Sequence, residues 1–153
     1  MNYKCEIYDQ PTQHVLSIRT CTAVENLPKV LGESYAAIGQ YLGTLGEMPG
    51  GAPFVAYYNM DMQNLDIEIG FPVSHPISGK AHIQAAEMQA GKYASCLHKG
   101  PYAELRPAYE ALTNFVNEHN LETIGVVYEF YLNSPVEVPQ EELKTQIVFP
   151  LVS

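Results

Sequence analysis

The sequence predicts an α+β fold built from two βαββ units with pseudo-twofold symmetry, an antiparallel sheet and two main helices. Three observations carry that expectation. A strand–helix–strand–strand order occurs twice. Landmarks keep their order between the copies: Arg19 and His98 stand 79 residues apart, as do Pro28 and Pro107, while Asn59 and Asn133 stand 74 apart and Phe71 and Phe149 stand 78 apart. The changes in offset fall in loops. A repeat of about 60 residues exceeds the usual solenoid periods, so two copies close into one domain. The expected boundaries are repeat one at about 1–73, a linker at about 74–84 and repeat two at about 85–153.

In the first copy, Val15 to Arg19 reads as a short strand. Thr22 and Glu25 have the spacing of a capping box, and Pro28 fits the first turn of a helix, where its missing N–H costs little. Leu31, Tyr35, Ile38, Leu42 and Leu45 then fall on one apolar stripe, and Gly46 is the expected stop. Phe54 to Tyr58 is the next strand. Leu65, Ile67, Ile69 and Phe71 alternate with Asp66, Glu68 and Gly70, the pattern of a half-buried strand. A solvated face explains the two carboxylates most simply; an electronegative rim to a cleft is the alternative.

The second copy repeats the order. Tyr93 to Leu97 is a strand, Gly100-Pro101-Tyr102 a turn, and Pro107 opens a helix carrying Leu112, Phe115 and Val116. Asn120 is placed to cap it in a left-handed conformation. Val126 to Leu132 and Leu143 to Phe149 are the last strands. Ser74 to Lys92 joins the halves, its final part extending the strand at Tyr93.

Aligning the copies isolates one difference. Phe54 pairs with Tyr128, Val55 with Glu129, Ala56 with Phe130 and Tyr57 with Tyr131. Architecture alone does not ask for a carboxylate where the first copy has valine. On a strand this apolar, Glu129 must reach solvent, pair with a lysine, or line a cavity suited to a cation. In the last case Tyr57 and Tyr131 supply ring faces for cation–π contact. Desolvation then raises the carboxyl pKa of the empty site, which suits general acid–base work.

The totals exclude several classes. A net charge of −9 without a Lys/Arg cluster disfavours contact with nucleic-acid phosphates and favours cations. Three widely spaced cysteines without a CxxC pair argue against a disulfide framework and fit a reducing cytoplasm. No apolar run has membrane-spanning length. The five histidines show no ligand spacing, so no metal or cofactor is expected. No GxSxG elbow or phosphate loop is present. The 11 tyrosines, with no tryptophan, suggest amphipathic walls.

The motifs together resemble a known family. Tyr3-x-x-x-Ile7, His14 to Arg19, Asp66 to Val73, Gly100-Pro101-Tyr102, Tyr128 to Pro135, and Leu143-Lys144-Thr145-x-Ile147-x-x-Pro150 are similar in content and order to GyrI-like effector-binding domains. The resemblance implies the SOUL-like duplicated βαββ fold of the sensor domains in AraC-type and MerR-type multidrug regulators, also found in DNA gyrase inhibitory proteins. It further implies that Glu129 lies in an aromatic cleft between the halves and meets lipophilic cations, with Tyr102 and Tyr131 as aromatic neighbours. Tyr128 stands where many relatives have tryptophan. No helix-turn-helix accompanies the domain, so the expectation is no direct DNA binding.

The expected function is therefore a stand-alone, cytoplasmic small-molecule-binding protein, for multidrug sensing or sequestration. Its partner would be a hydrophobic cationic or aromatic molecule, held by Glu129, Tyr57, Tyr102 and Tyr131. Two alternatives stand beside it. One is a hydrolase of electrophilic, cyclopropane-type toxins with Glu129 as the catalytic carboxylate, as the resemblance to hydrolytic GyrI-like proteins implies. The other is an interaction module whose protein partner is gyrase or a transcription regulator.

Overall fold

The computed structural model describes residues 3–152. The fold is α+β, as the sequence predicts, and the chain forms two compact units: Thr12–Gln89, and Met1–Pro11 together with Ala90–Ser153. Each unit carries a four-stranded antiparallel sheet and one long helix.

In the Thr12–Gln89 unit the elements are β2 (Gln13–Thr22), α1 (Leu27–Thr44), β3 (Phe54–Tyr57), β4 (Leu65–Pro72) and β5 (Gln84–Met88), with sheet order β3-β4-β2-β5. The other unit holds β1 (Cys5–Gln10), β6 (Gly91–Lys99), α2 (Arg106–Glu118), β7 (Val127–Tyr131) and β8 (Lys144–Pro150), in the order β1-β6-β8-β7. The two sheets share one plan. Each copy's leading strand is exchanged: β1 precedes the first copy yet pairs with β6, and β5 precedes the second yet pairs with β2. The segment expected to be linker thus contains β5, and Gln89-Ala90 separates it from β6.

Alternation along β2 turns Leu16 and Ile18 inward, where Ile38 and Leu42 of α1 meet them with Val73, Ile77 and Ile83. Burial of each such side chain contributes about 1.5–3 kcal/mol. The α1 stripe is narrower than the periodicity predicts: Ser34, Ile38 and Leu42 are buried, whereas Leu45 is exposed because the helix has already ended at Thr44. Gly46 turns left-handed there, with φ +69°, and stops the helix as predicted. Pro28 sits in the first turn.

The expected capping box does not form. Thr22 is the last residue of β2, in register with Leu65, and its hydroxyl donates to the carbonyl of Ala23. A short 3-10 turn, Val24–Asn26, then separates it from α1. A residue held in a sheet ladder cannot also cap a helix that begins five positions later.

In α2, Ala108, Leu112 and Val116 form the buried stripe and pack on Ala94, Cys96, Ile147, Phe149 and Leu151. Pro107 lies in its first turn, and Asn120 follows the helix at φ +56°. Among the described residues no helix is long and apolar enough to cross a membrane.

Candidate functional site

β7 places Glu129 opposite Ile147 and Tyr131 opposite Thr145 of β8. Val127, Glu129 and Tyr131 therefore share a face, as strand alternation predicts, and it is the face that α2 covers. Glu129 is only 7 % exposed. Tyr128 and Phe130 point to the opposite face, their rings stacked with centroids 6.1 Å apart.

A carboxylate buried this far needs partners. Glu129 has two among the described residues. Tyr131 donates its hydroxyl to Oε1 at 2.8 Å, from two positions along the same strand. Tyr109 of α2 donates its hydroxyl to Oε2. Burial raises the Glu129 carboxyl above the usual carboxylate range, and the two phenol hydroxyls, which stabilise the anion, offset part of that rise. With one tyrosine on each oxygen, the group keeps lone pairs free, since a carboxylate accepts about four hydrogen bonds.

Aromatic rings surround this clamp. Tyr102 meets Tyr131 edge to face, with centroids 5.6 Å apart and planes at 70°. Tyr102 remains 39 % exposed, and burial, then the Glu129 charge, push its phenol pKa up. The Tyr109 ring tilts against Phe149 at 6.1 Å. On the outer side of α2, Arg106, Tyr109, Glu110, Thr113 and Asn114 line an open hollow of about 440 Å³. Tyr109 both lines that hollow and bonds the Glu129 carboxylate.

The Gly100-Pro101-Tyr102 turn is fastened from beneath by His98. The imidazole is 2 % exposed; one nitrogen, Nε2, faces the Pro101 carbonyl at 3.2 Å and the other, Nδ1, faces the Tyr3 hydroxyl at 3.1 Å. A carbonyl only accepts, so Nε2 carries the proton, and in the neutral ring Nδ1 accepts from Tyr3. Gly100 adopts φ +139°, a conformation open to glycine, and donates its N–H to Leu143.

Of the residues the sequence nominates, Glu129, Tyr131 and Tyr102 come together in this unit. Tyr57 lies in the other, at the end of β3 opposite Ile67. Tyr109 was not among the nominated residues, and the repeat contained the signal for it. At the offset of 79 that links Pro28 to Pro107, Tyr109 matches Val30, just as Glu129 matches Val55. Both members of the acid–phenol pair replace valines.

The two other strand carboxylates do not lie on a simple solvated face. Glu68 accepts from Ser17 at 2.5 Å and from Tyr58 at 2.6 Å. Asp66 takes a bidentate pair from Arg19 at 2.7 and 2.8 Å, and the guanidinium lies 3.7 Å from the centre of the Tyr58 ring. Arg19 holds the Asp66 carboxyl below its usual range. The neighbouring Ser17 and Ala56 are buried. Among the described residues no group of three or more His, Cys, Asp or Glu side chains gathers as a metal site.

The chain belongs to the GyrI-like small molecule binding domain family, whose model matches residues 3–152. No curated protein sequence matches it. Among solved structures, the C-terminal domain of EcmrR superposes with a TM-score of 0.83 at 22 % identity, over 100 % of this chain and 99 % of that one. In the EcmrR–DNA complex this chain spans only 57 % of the matched EcmrR chain. A hydrolase from Listeria innocua matches with a TM-score of 0.71 at 16 % identity, over 97 % and 92 % of the two chains. SAV2435, solved with bound tetraphenylphosphonium, matches at 0.69 and 12 % identity, over 100 % and 95 %. At these identities the likeness is one of fold.

Proposed function

We propose that the protein binds lipophilic cations, with Glu129 as the counter-charge and Tyr102, Tyr109 and Tyr131 as the polar and aromatic surround. The observation that carries this reading is a 7 % exposed carboxylate whose partners among the described residues are two neutral phenols. Two neutral phenols give the ionised carboxylate hydrogen bonds but no counter-charge, so a ligand cation that pairs with it in a poorly hydrated site gains more than it would in water. A diffuse cation on an aromatic body loses little hydration on entry and also gains from ring faces. The family membership and the fold shared with a tetraphenylphosphonium-bound protein support the same class of ligand.

The test is a calorimetric titration of tetraphenylphosphonium into wild type and Glu129→Gln, beside a neutral aromatic ligand of similar size. Saturable binding that weakens tenfold or more for the cation alone, about 1.4 kcal/mol, supports the reading. Equal weakening of both ligands removes its electrostatic part.

A second reading rests on the Tyr109–Glu129 pair. A carboxyl with a raised pKa beside a phenol is equipped to take a proton from water while the oxygen attacks a strained electrophilic ring, or to protonate the carbon released as the ring opens. Water is consumed and one ring bond is broken. Turnover that vanishes in Glu129→Gln with ligand binding retained would favour it over sequestration.

A further inference from the structure

Thr145 is buried completely, and its hydroxyl has no hydrogen-bond partner among the described residues. It stands on β8 between Tyr131 of β7 and His98 of β6, its register partners on either side. Its side chain therefore shares a face with both, one row along from Glu129, Ile147 and Cys96. The hydroxyls and ring nitrogens beside it are engaged elsewhere: Tyr131 donates to Glu129, and His98 bonds Tyr3 and Pro101.

A hydroxyl in this position is costly to the free protein. Shielded from solvent, it gains no hydrogen bond from the described residues in return, whereas valine fills the same volume without that cost. What such a group is suited to do is bond a polar atom that arrives with a ligand. The ring beside it is Tyr131, and Tyr131 is met by the partly exposed Tyr102, an edge contact of the modest strength that a bound aromatic molecule can replace.

We propose that Thr145 is a specificity-determining residue of the Glu129 site, its hydroxyl accepting a hydrogen bond from an N–H or O–H group on the ligand. This deepens the cation-binding reading and rests on it. The favoured ligands become lipophilic cations that also carry a hydrogen-bond donor, rather than bare onium ions. The spacing follows from strand geometry. Thr145 lies about 7 Å along the strand direction and about 5 Å across from Glu129, so donor and charge centre are separated by less than the length of a fused tricyclic dye.

The experiment compares two closely matched cationic dyes by fluorescence anisotropy: rhodamine 6G, with an N–H on each amino group, and tetramethylrhodamine ethyl ester, with none. Each is titrated into wild type, Thr145→Val and Thr145→Ser, and thermal unfolding of the three proteins is followed without dye. The expected result is a fivefold or greater loss of rhodamine 6G affinity in Thr145→Val, regained in Thr145→Ser, with the ester within twofold throughout. Thr145→Val should also melt higher, by about 3 °C. Equal loss for both dyes, or loss for neither, overturns the role of Thr145 alone. Failure of both dyes to saturate the wild type overturns the cation-binding reading, and this proposal with it.

Discussion

Tyr109 on α2 donates its hydroxyl to Glu129 on β7, twenty positions later in the chain. The contact fastens the helix to the strand and stabilises the anionic form of a carboxyl that burial drives toward its neutral form. Tyr109→Phe removes that donor and keeps the ring. The Glu129 carboxyl then rises further, less of it is ionised at neutral pH, and cation affinity falls by about tenfold. Raising the pH should restore part of the loss. Titrations of tetraphenylphosphonium from about pH 6 to 9, a window above the ordinary carboxylate range, check both statements.

Glu129 also sets a pH dependence of stability. Its folded pKa lies above its unfolded one, so the native state binds the proton more tightly, and stability is lost as pH rises through the folded value. Glu129→Gln removes this titration while keeping an acceptor and a donor for the two tyrosines. The variant should melt higher than wild type at about pH 8, with the gain disappearing as pH falls into the ordinary carboxylate range near 4. Parallel melting curves across that window would contradict the assignment.

His98 bonds both Tyr3 and the Pro101 carbonyl from a buried position. His98→Leu keeps the volume but leaves both groups without that partner, at a cost of about 1–3 kcal/mol. Urea unfolding should show a lower midpoint with an unchanged m-value. His75→Ala, at a half-exposed side chain near Glu47, should stay within about 0.5 kcal/mol.

Arg19 offers the contrasting case. Its bidentate pair with Asp66 has good geometry, but the arginine side chain is 44 % exposed. Solvent and salt screen such pairs, so Arg19→Ala should cost no more than about 1 kcal/mol. Because Arg19 depresses the Asp66 pKa, that contribution is present above the unfolded carboxylate pKa and is lost as pH falls through the lower folded value. Stability measured in low and high salt, and across acid pH, tests both points.

The fold was legible because its repeat is carried by hydrophobic alternation and by Pro28 and Pro107, which act locally. Glu129 was legible as a violation of that pattern. Tyr109 was not, because a tyrosine one position from Ala108 on a helix reads as flank; only the match to Val30 marks it. β5, with sequence QAAEM, has neither strong alternation nor β-branched residues, and it is a strand because β2 offers an open edge to pair with. The partners of Glu68 were hidden for the same reason as those of His98. Ser17 and Tyr58 lie 51 and 10 residues away from Glu68, and Tyr3 lies 95 residues from His98, and such pairings follow from register rather than from local sequence.

On the proposed function, Glu129 should hold its negative charge most firmly when a cation is present. Carbon-13 NMR of the glutamate side-chain carboxyls measures it directly, with the Glu129 signal assigned by its loss in Glu129→Gln. Without ligand the signal should titrate above the ordinary carboxylate range, and saturating tetraphenylphosphonium should move its midpoint down. A Glu129 carboxyl that titrates in the ordinary range and ignores the cation would contradict the account.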